Sequence, residues 1–135
     1  MRKPRFGILL DLAQTQEAEI RREVGRLEAS AESVRTRILA LEDRRRQAVA
    51  GDLALRDLWS AWWLREDDEI AACRQRLARI EAECNTARTR LAEAHRQVRT
   101  WELLRERDAV AIRHADERRA ARELDDLGLR GWEGR

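Results

Sequence analysis

Between Trp63 and Trp101 the chain places a seam residue every three or four positions without a break. The series reads Trp63, Glu66, Ile70, Cys73, Leu77, Ile80, Cys84, Ala87, Leu91, Ala94, Val98 and Trp101, and Glu66 is its one charged member. An average step of about 3.5 puts these side chains on one narrow stripe of a helix, and such a stripe is buried only against another helix. No Gly or Pro interrupts the run.

A second stripe precedes it: Leu10, Ala13, Glu17, Ile20, Val24, Leu27, Ala31, Val34, Ile38 and Leu41, again with a single charged member, Glu17. Past Leu41 the pattern gives way to Arg44, Arg45 and Arg46, which read as a solvated helix end whose charge suits the helix dipole. Glu42 and Arg46 stand at i,i+4 spacing on the outer face. Ala50-Gly51-Asp52 is the break between the stripes. Glycine tolerates the left-handed conformation that ends a helix, and Asp52 can cap the next one. The pattern therefore predicts an all-α fold, a two-helix antiparallel coiled-coil hairpin. A turn centred on Asp52 sets Leu41 opposite Trp63, Ile38 opposite Glu66, Val34 opposite Ile70, Leu27 opposite Leu77 and Phe6 opposite Val98. The competing arrangement is one continuous helix dimerising in parallel, with a stutter between the stripes. A Gly-Asp in mid-helix disfavours it.

The expected organisation is a single coiled-coil domain over residues 1–135. Helix 1 runs over about 8–49, the turn over about 50–54, helix 2 over about 55–127, and a frayed tail over 128–135. The basic lead before Ile8, broken by Pro4 and Gly7, is expected to fray as well. Helix 1 has no residues left to pair beyond Val98, so the longer helix 2 overhangs at its C-terminal end by ~25–30 residues, roughly 40 Å. The overhang carries Trp101, Leu104, Ala111, Ala115, Leu124 and Leu127. An isolated helix of that length is only marginally stable in water, so its apolar residues are expected to dock into a partner. Near the turn, Trp62 lies off the seam and is a second candidate anchor.

Composition excludes several classes. Charged residues make up 40% and aromatics 4%, which fits long helices and not an ordinary globular core. The charges interleave to a net +2, so no single-sign field attracts nucleic acid. Residues 102–135 hold eight Arg against nine acidic residues, unlike a basic DNA-reading segment. His95 and His114 stand alone, Cys73 and Cys84 form no CxxC, and there is no Gly-rich phosphate loop or nucleophile elbow. No catalytic, cofactor or metal site is expected, and no small-molecule substrate. The two cysteines sit ~16 Å apart along one helix, too far for an internal disulfide. They read as small buried hydrophobes of a reducing compartment. No apolar run approaches the ~20 residues of a membrane span, and no apolar h-region follows Met1. A cytoplasmic, non-enzymatic protein is expected.

At the overhang the sequence resembles the C-terminal signature of the flagellar FliJ proteins, through Trp101-Glu102-Leu103-Leu104-Arg105-Glu106-Arg107 and then Glu123-Leu124-Asp125-Asp126-Leu127. Phe6 with Leu9-Leu10-Asp11-Leu12-Ala13, followed by Glu17, is similar to the start of that family. The resemblance covers most of the chain. Injectisome stalk proteins of the YscO type are built similarly, and a plain structural coiled-coil adaptor is the reading from another class. What the resemblance implies is a central stalk of the flagellar type III export apparatus, with a coiled coil similar to the rotary γ subunit of F-type ATPases. Such a stalk inserts into the hexameric export ATPase and promotes ring assembly. It also binds the cytoplasmic domain of the export-gate membrane protein and handles empty export chaperones. It would sit at the cytoplasmic face of the inner membrane. Carried over by motif, the ring-contacting residues are Trp101, Leu104, Arg107, Leu124, Asp125 and Leu127. For the gate, only Trp62 matches, while Glu66 and Glu69 depart from the family's apolar character there.

Overall fold

The computed structural model describes residues 6–49 and 60–133. The turn expected at Gly51-Asp52, the start of helix 2 near residue 55 and residues 1–5 of the basic lead lie outside the described residues. Among the described residues there are two helices: α1, Gly7–Val49, and α2, Ser60–Glu133. They form an antiparallel two-helix hairpin in which the second helix is the longer. Their contacts group into two compact units, one of Met1–Glu17 with Ala94–Arg135 and one of Ala18–Glu93.

In the Ala18–Glu93 unit the core is the seam the heptads mark. Val24, Ala31, Val34, Ile38, Leu41, Ile70, Cys84 and Ala87 are all buried, and Leu41 has no exposed surface at all. Leu27 and Leu77 are only half-buried, as a one-seam core leaves its wider side chains partly wet. The core is flanked by ion pairs that cross between the helices. Arg88 donates to Glu28 at 2.9 Å, Arg35 to Glu81 at 3.1 Å, Arg90 to Glu23 at 3.1 Å and Arg37 to Glu69 at 2.6 Å. Partners rise in number along α2 as they fall along α1, which is antiparallel pairing within one chain and not a continuous dimerising helix. Glu42 takes part across the seam, accepting from Arg74 at 2.8 Å. Hydrogen bonds donated to Glu81, Glu69 and Glu28 hold the Arg35, Arg37 and Arg88 guanidinium groups above the ordinary arginine value. A raised base loses its contribution only when pH climbs through that value, so the arginine side of these pairs adds no pH dependence below the usual arginine range.

The register differs from the one a turn at Asp52 implies. In that alignment Glu28 faces Arg76 and Glu23 faces Glu81, yet their partners are Arg88 and Arg90. The observed pairs fit an alignment one heptad further along α2, with Leu41 opposite Ile70, Val34 opposite Leu77 and Leu27 opposite Cys84. A shift of one heptad returns every a position to a d position, so the apolar seam is equally filled in both. The charges break the tie. In the observed alignment Glu23 meets Arg90 and Asp67 pairs with Arg45; one heptad back, Glu23 would face Glu81 and Ile38 would stand in the place of Arg45.

The other end of α2 also departs from expectation. The helix continues through Gly128 and Gly131 to Glu133, where the glycines had marked a frayed tail from residue 128. Glycine stops a helix when it takes a positive φ, and no described glycine does. A helical glycine otherwise costs about 1 kcal/mol relative to alanine, and Arg130 in the last turn suits the dipole.

Both cysteines are free, Cys84 buried and Cys73 half-buried. Replacing both by alanine should keep the fold and lower stability by about 1–2 kcal/mol, the scale of trimming small buried groups. Thermal unfolding followed by circular dichroism checks this, and a collapse of helicity would show the thiols to be essential.

Candidate functional site

The Met1–Glu17 with Ala94–Arg135 unit carries the candidate surface. Its core is small: Leu10, Ala13 and Val98 are buried together, and Trp101 packs against them. Phe6 lies on Trp101 with ring centroids 5.9 Å apart and planes tilted by 31°. The Leu10 N–H donates to the Phe6 carbonyl at 2.9 Å, which extends the first turn of α1 back over the indole. Glu17, mostly buried, meets His95 Nδ1 at 3.2 Å, so the charged member of the first stripe also finds a basic partner. Trp101 therefore has an intramolecular partner and closes the hairpin. The unpaired part of α2 begins after Leu104, which is half-buried.

From residue 105 to residue 132 every residue is exposed except Asp108 and Ala115. Leu124, Leu127 and Trp132 present 69%, 63% and 80% of their surface to solvent. Projected at ~100° per residue, these three share one face of α2, with Gly128 and Gly131 between them. A Cβ built at either glycine meets nothing within 4 Å, so that face is open down to the backbone. Exposed Val110 and Leu103 lie on the same side of the helix. Arg107 and Asp125 flank the stripe and are exposed. Of the six residues singled out by sequence, Leu124, Asp125 and Leu127 lie within one turn of one another, and Arg107 lies about 25 Å back along the same helix. Trp101 and Leu104 turn toward the α1 side. Trp132 was missed, because three glycines in the last eight residues read as a frayed end. Its spacing of five and eight residues from Leu127 and Leu124 was the available signal. In the same unit α1 exposes Ile8, Leu9 and Leu12, apolar residues that lie off the heptad seam.

Trp62 stands differently from its expected role. It is half-buried, edge-on to Trp63 at 5.6 Å between centroids, with the Arg44 guanidinium 5.8 Å from its ring centre. A ring already covered by an arginine and a tryptophan offers less to a partner than an isolated surface indole does.

Among the described residues no group of His, Cys, Asp and Glu could hold a metal ion. No described helix is long and apolar enough to cross a membrane. The mixed-charge grooves of the Ala18–Glu93 unit, such as the one of about 210 Å³ beside Cys84, are lined by arginines and glutamates paired with one another.

Fold and surface together define a helical-hairpin protein with an exposed apolar stripe on an extended α2. The model of the family described as flagellar FliJ protein matches residues 1–135, the whole chain, and the chain belongs to that family. Its members work in flagellar type III protein export. No curated protein and no solved structure matches the chain.

Proposed function

We propose that this protein is the non-enzymatic stalk of a cytoplasmic flagellar export ATPase, and that the α2 segment 104–133 docks into the hexameric ring. The observation that carries the reading is the open stripe of Leu124, Leu127 and Trp132 on a helix whose neighbouring residues match the family signature. Apolar side chains that a hairpin leaves uncovered mark a protein-binding surface, and an amphipathic helix laid into an apolar groove is a common way of binding one. Arg107 and Asp125 at the flank supply charges of opposite sign, which fix register more than they add affinity. Trp101 acts indirectly in this reading, by closing the hairpin from which the segment projects. The export gate and export chaperones are the further partners, with the protein held at the cytoplasmic face of the inner membrane by its partners. For the gate, the half-covered Trp62 is the weaker of the two contacts.

Leu124→Asp with Leu127→Asp tests the docking. Both positions are exposed and remote from the paired core, so the thermal midpoint should stay unchanged. Association with the purified ATPase, followed by sedimentation velocity, should weaken by about a hundredfold, or two apolar anchors at roughly 1.4 kcal/mol each. Binding equal to that of the native chain would remove the stripe from the interface and favour an adaptor that works through another surface.

A further inference from the structure

Arg44 and Arg45, both partly exposed, nevertheless have partners on α2. Arg44 reaches Glu66 at 3.5 Å and stands 5.8 Å from the Trp62 ring centre. Arg45 pairs with Asp67 and stands 4.9 Å from the Trp63 ring centre. Each of two successive arginines thus takes one tryptophan and one carboxylate, and on α2 each tryptophan and its carboxylate are four residues apart. Such a spacing puts ring and acid on one side of the helix, one turn from each other. Glu66 is 5% exposed, and its Oε2 has no hydrogen-bond partner. Half-satisfied buried carboxylates are unfavourable for stability alone, so this one calls for another explanation.

We propose that the Arg44-Arg45 clasp on Trp62, Trp63, Glu66 and Asp67 selects the helix register of the Ala18–Glu93 unit. The heptad seam is satisfied twice, with Val34 opposite Leu77 or, one heptad back, with Val34 opposite Ile70. Apolar packing alone separates these weakly. In the second alignment both arginines slide off their tryptophans, and Glu66 comes opposite Ile38. A polar seam residue that fixes register while lowering stability is a known device of coiled coils. The clasp gives the hairpin one alignment where its seam permits two, and weakening the clasp converts the unit into a register-shifting pair of helices.

The test is disulfide trapping in the full chain with Cys73→Ala and Cys84→Ala. One pair, Val34→Cys with Leu77→Cys, reports the observed register; the other, Val34→Cys with Ile70→Cys, reports the alternative. With the clasp intact, oxidation should close the first pair in preference to the second by about tenfold or more. Glu66→Leu with Asp67→Ala completes an apolar seam and so does not threaten folding. In that background the second pair should close to a comparable extent and the preference should vanish. Arg44→Gln with Arg45→Gln removes the clasp from the other side and should also erode it. An undiminished preference for the first pair in the Glu66→Leu, Asp67→Ala chain overturns the proposal, as does equal closure of both pairs with the clasp intact.

Discussion

Leu41→Asp should unfold the paired helices of the Ala18–Glu93 unit. Leu41 has 0% exposure and is the largest side chain buried so completely among the described residues. The register sets Leu41 opposite Ile70, itself buried, so an aspartate there enters the core of the seam. An unpaired carboxylate in such a place costs several kcal/mol or takes up a proton to avoid it. Whole domains are stable by only about 5–15 kcal/mol, and a core one seam wide has no second layer to compensate. Leu41→Ala should cost about 2–4 kcal/mol, from lost transfer energy and the cavity left behind. Leu27→Asp and Leu77→Asp replace half-buried side chains and should be milder. Thermal and urea unfolding followed by helical signal would rank the four. An unshifted midpoint for Leu41→Asp would mean that the seam is not the core.

The pattern of apolar residues carried the helices and their pairing because a heptad repeat is dense information: each of some twenty seam positions reinforces the same phase. Register was not carried, and the reason is the repeat itself. A sequence that looks alike after seven residues cannot say by its apolar members which heptad faces which. The Gly51-Asp52 turn signal chose one alignment; Glu23 favours the other, because there it meets Arg90 and not Glu81. Cross-helix charge matching was legible in principle, but arginines and glutamates are so frequent here that many alignments offer pairs. The candidate surface divided in the same way. Leu124 and Leu127 were visible as apolar residues beyond the end of their partner helix. Trp101 was placed with them, yet it packs under Phe6, because the one-heptad shift brings the start of α1 further along α2. Trp132 was hidden by the glycines around it, since a helix that runs on through Gly128 and Gly131 does so against local propensity.

Ending the chain after Arg107 should separate folding from function. That cut keeps Phe6, Leu10, Ala13, Val98 and Trp101, the cluster that closes the hairpin. Among the described residues it removes, no apolar side chain is buried, so the unfolding midpoint of what remains should move little. A cut after Val98 instead deletes Trp101 from its cluster and should loosen the start of α1, visible as lost helicity. In cells the chain ending at Arg107 should be made and remain folded, and flagellar motility should be lost, because the stripe of Leu124, Leu127 and Trp132 has gone with the segment.

The most direct measurement is ATP hydrolysis by the cognate export ATPase, alone, with the full-length chain, and with the chain ending at Arg107. A stalk that docks segment 104–133 into the ring promotes assembly of the active hexamer. The full-length chain should therefore raise the rate, most steeply at ATPase concentrations where the ring is incompletely assembled, and the shortened chain should leave it at the basal value. Equal stimulation by both chains would place the contact in the hairpin and contradict the docking of α2, and no stimulation by the full-length chain would contradict the stalk itself.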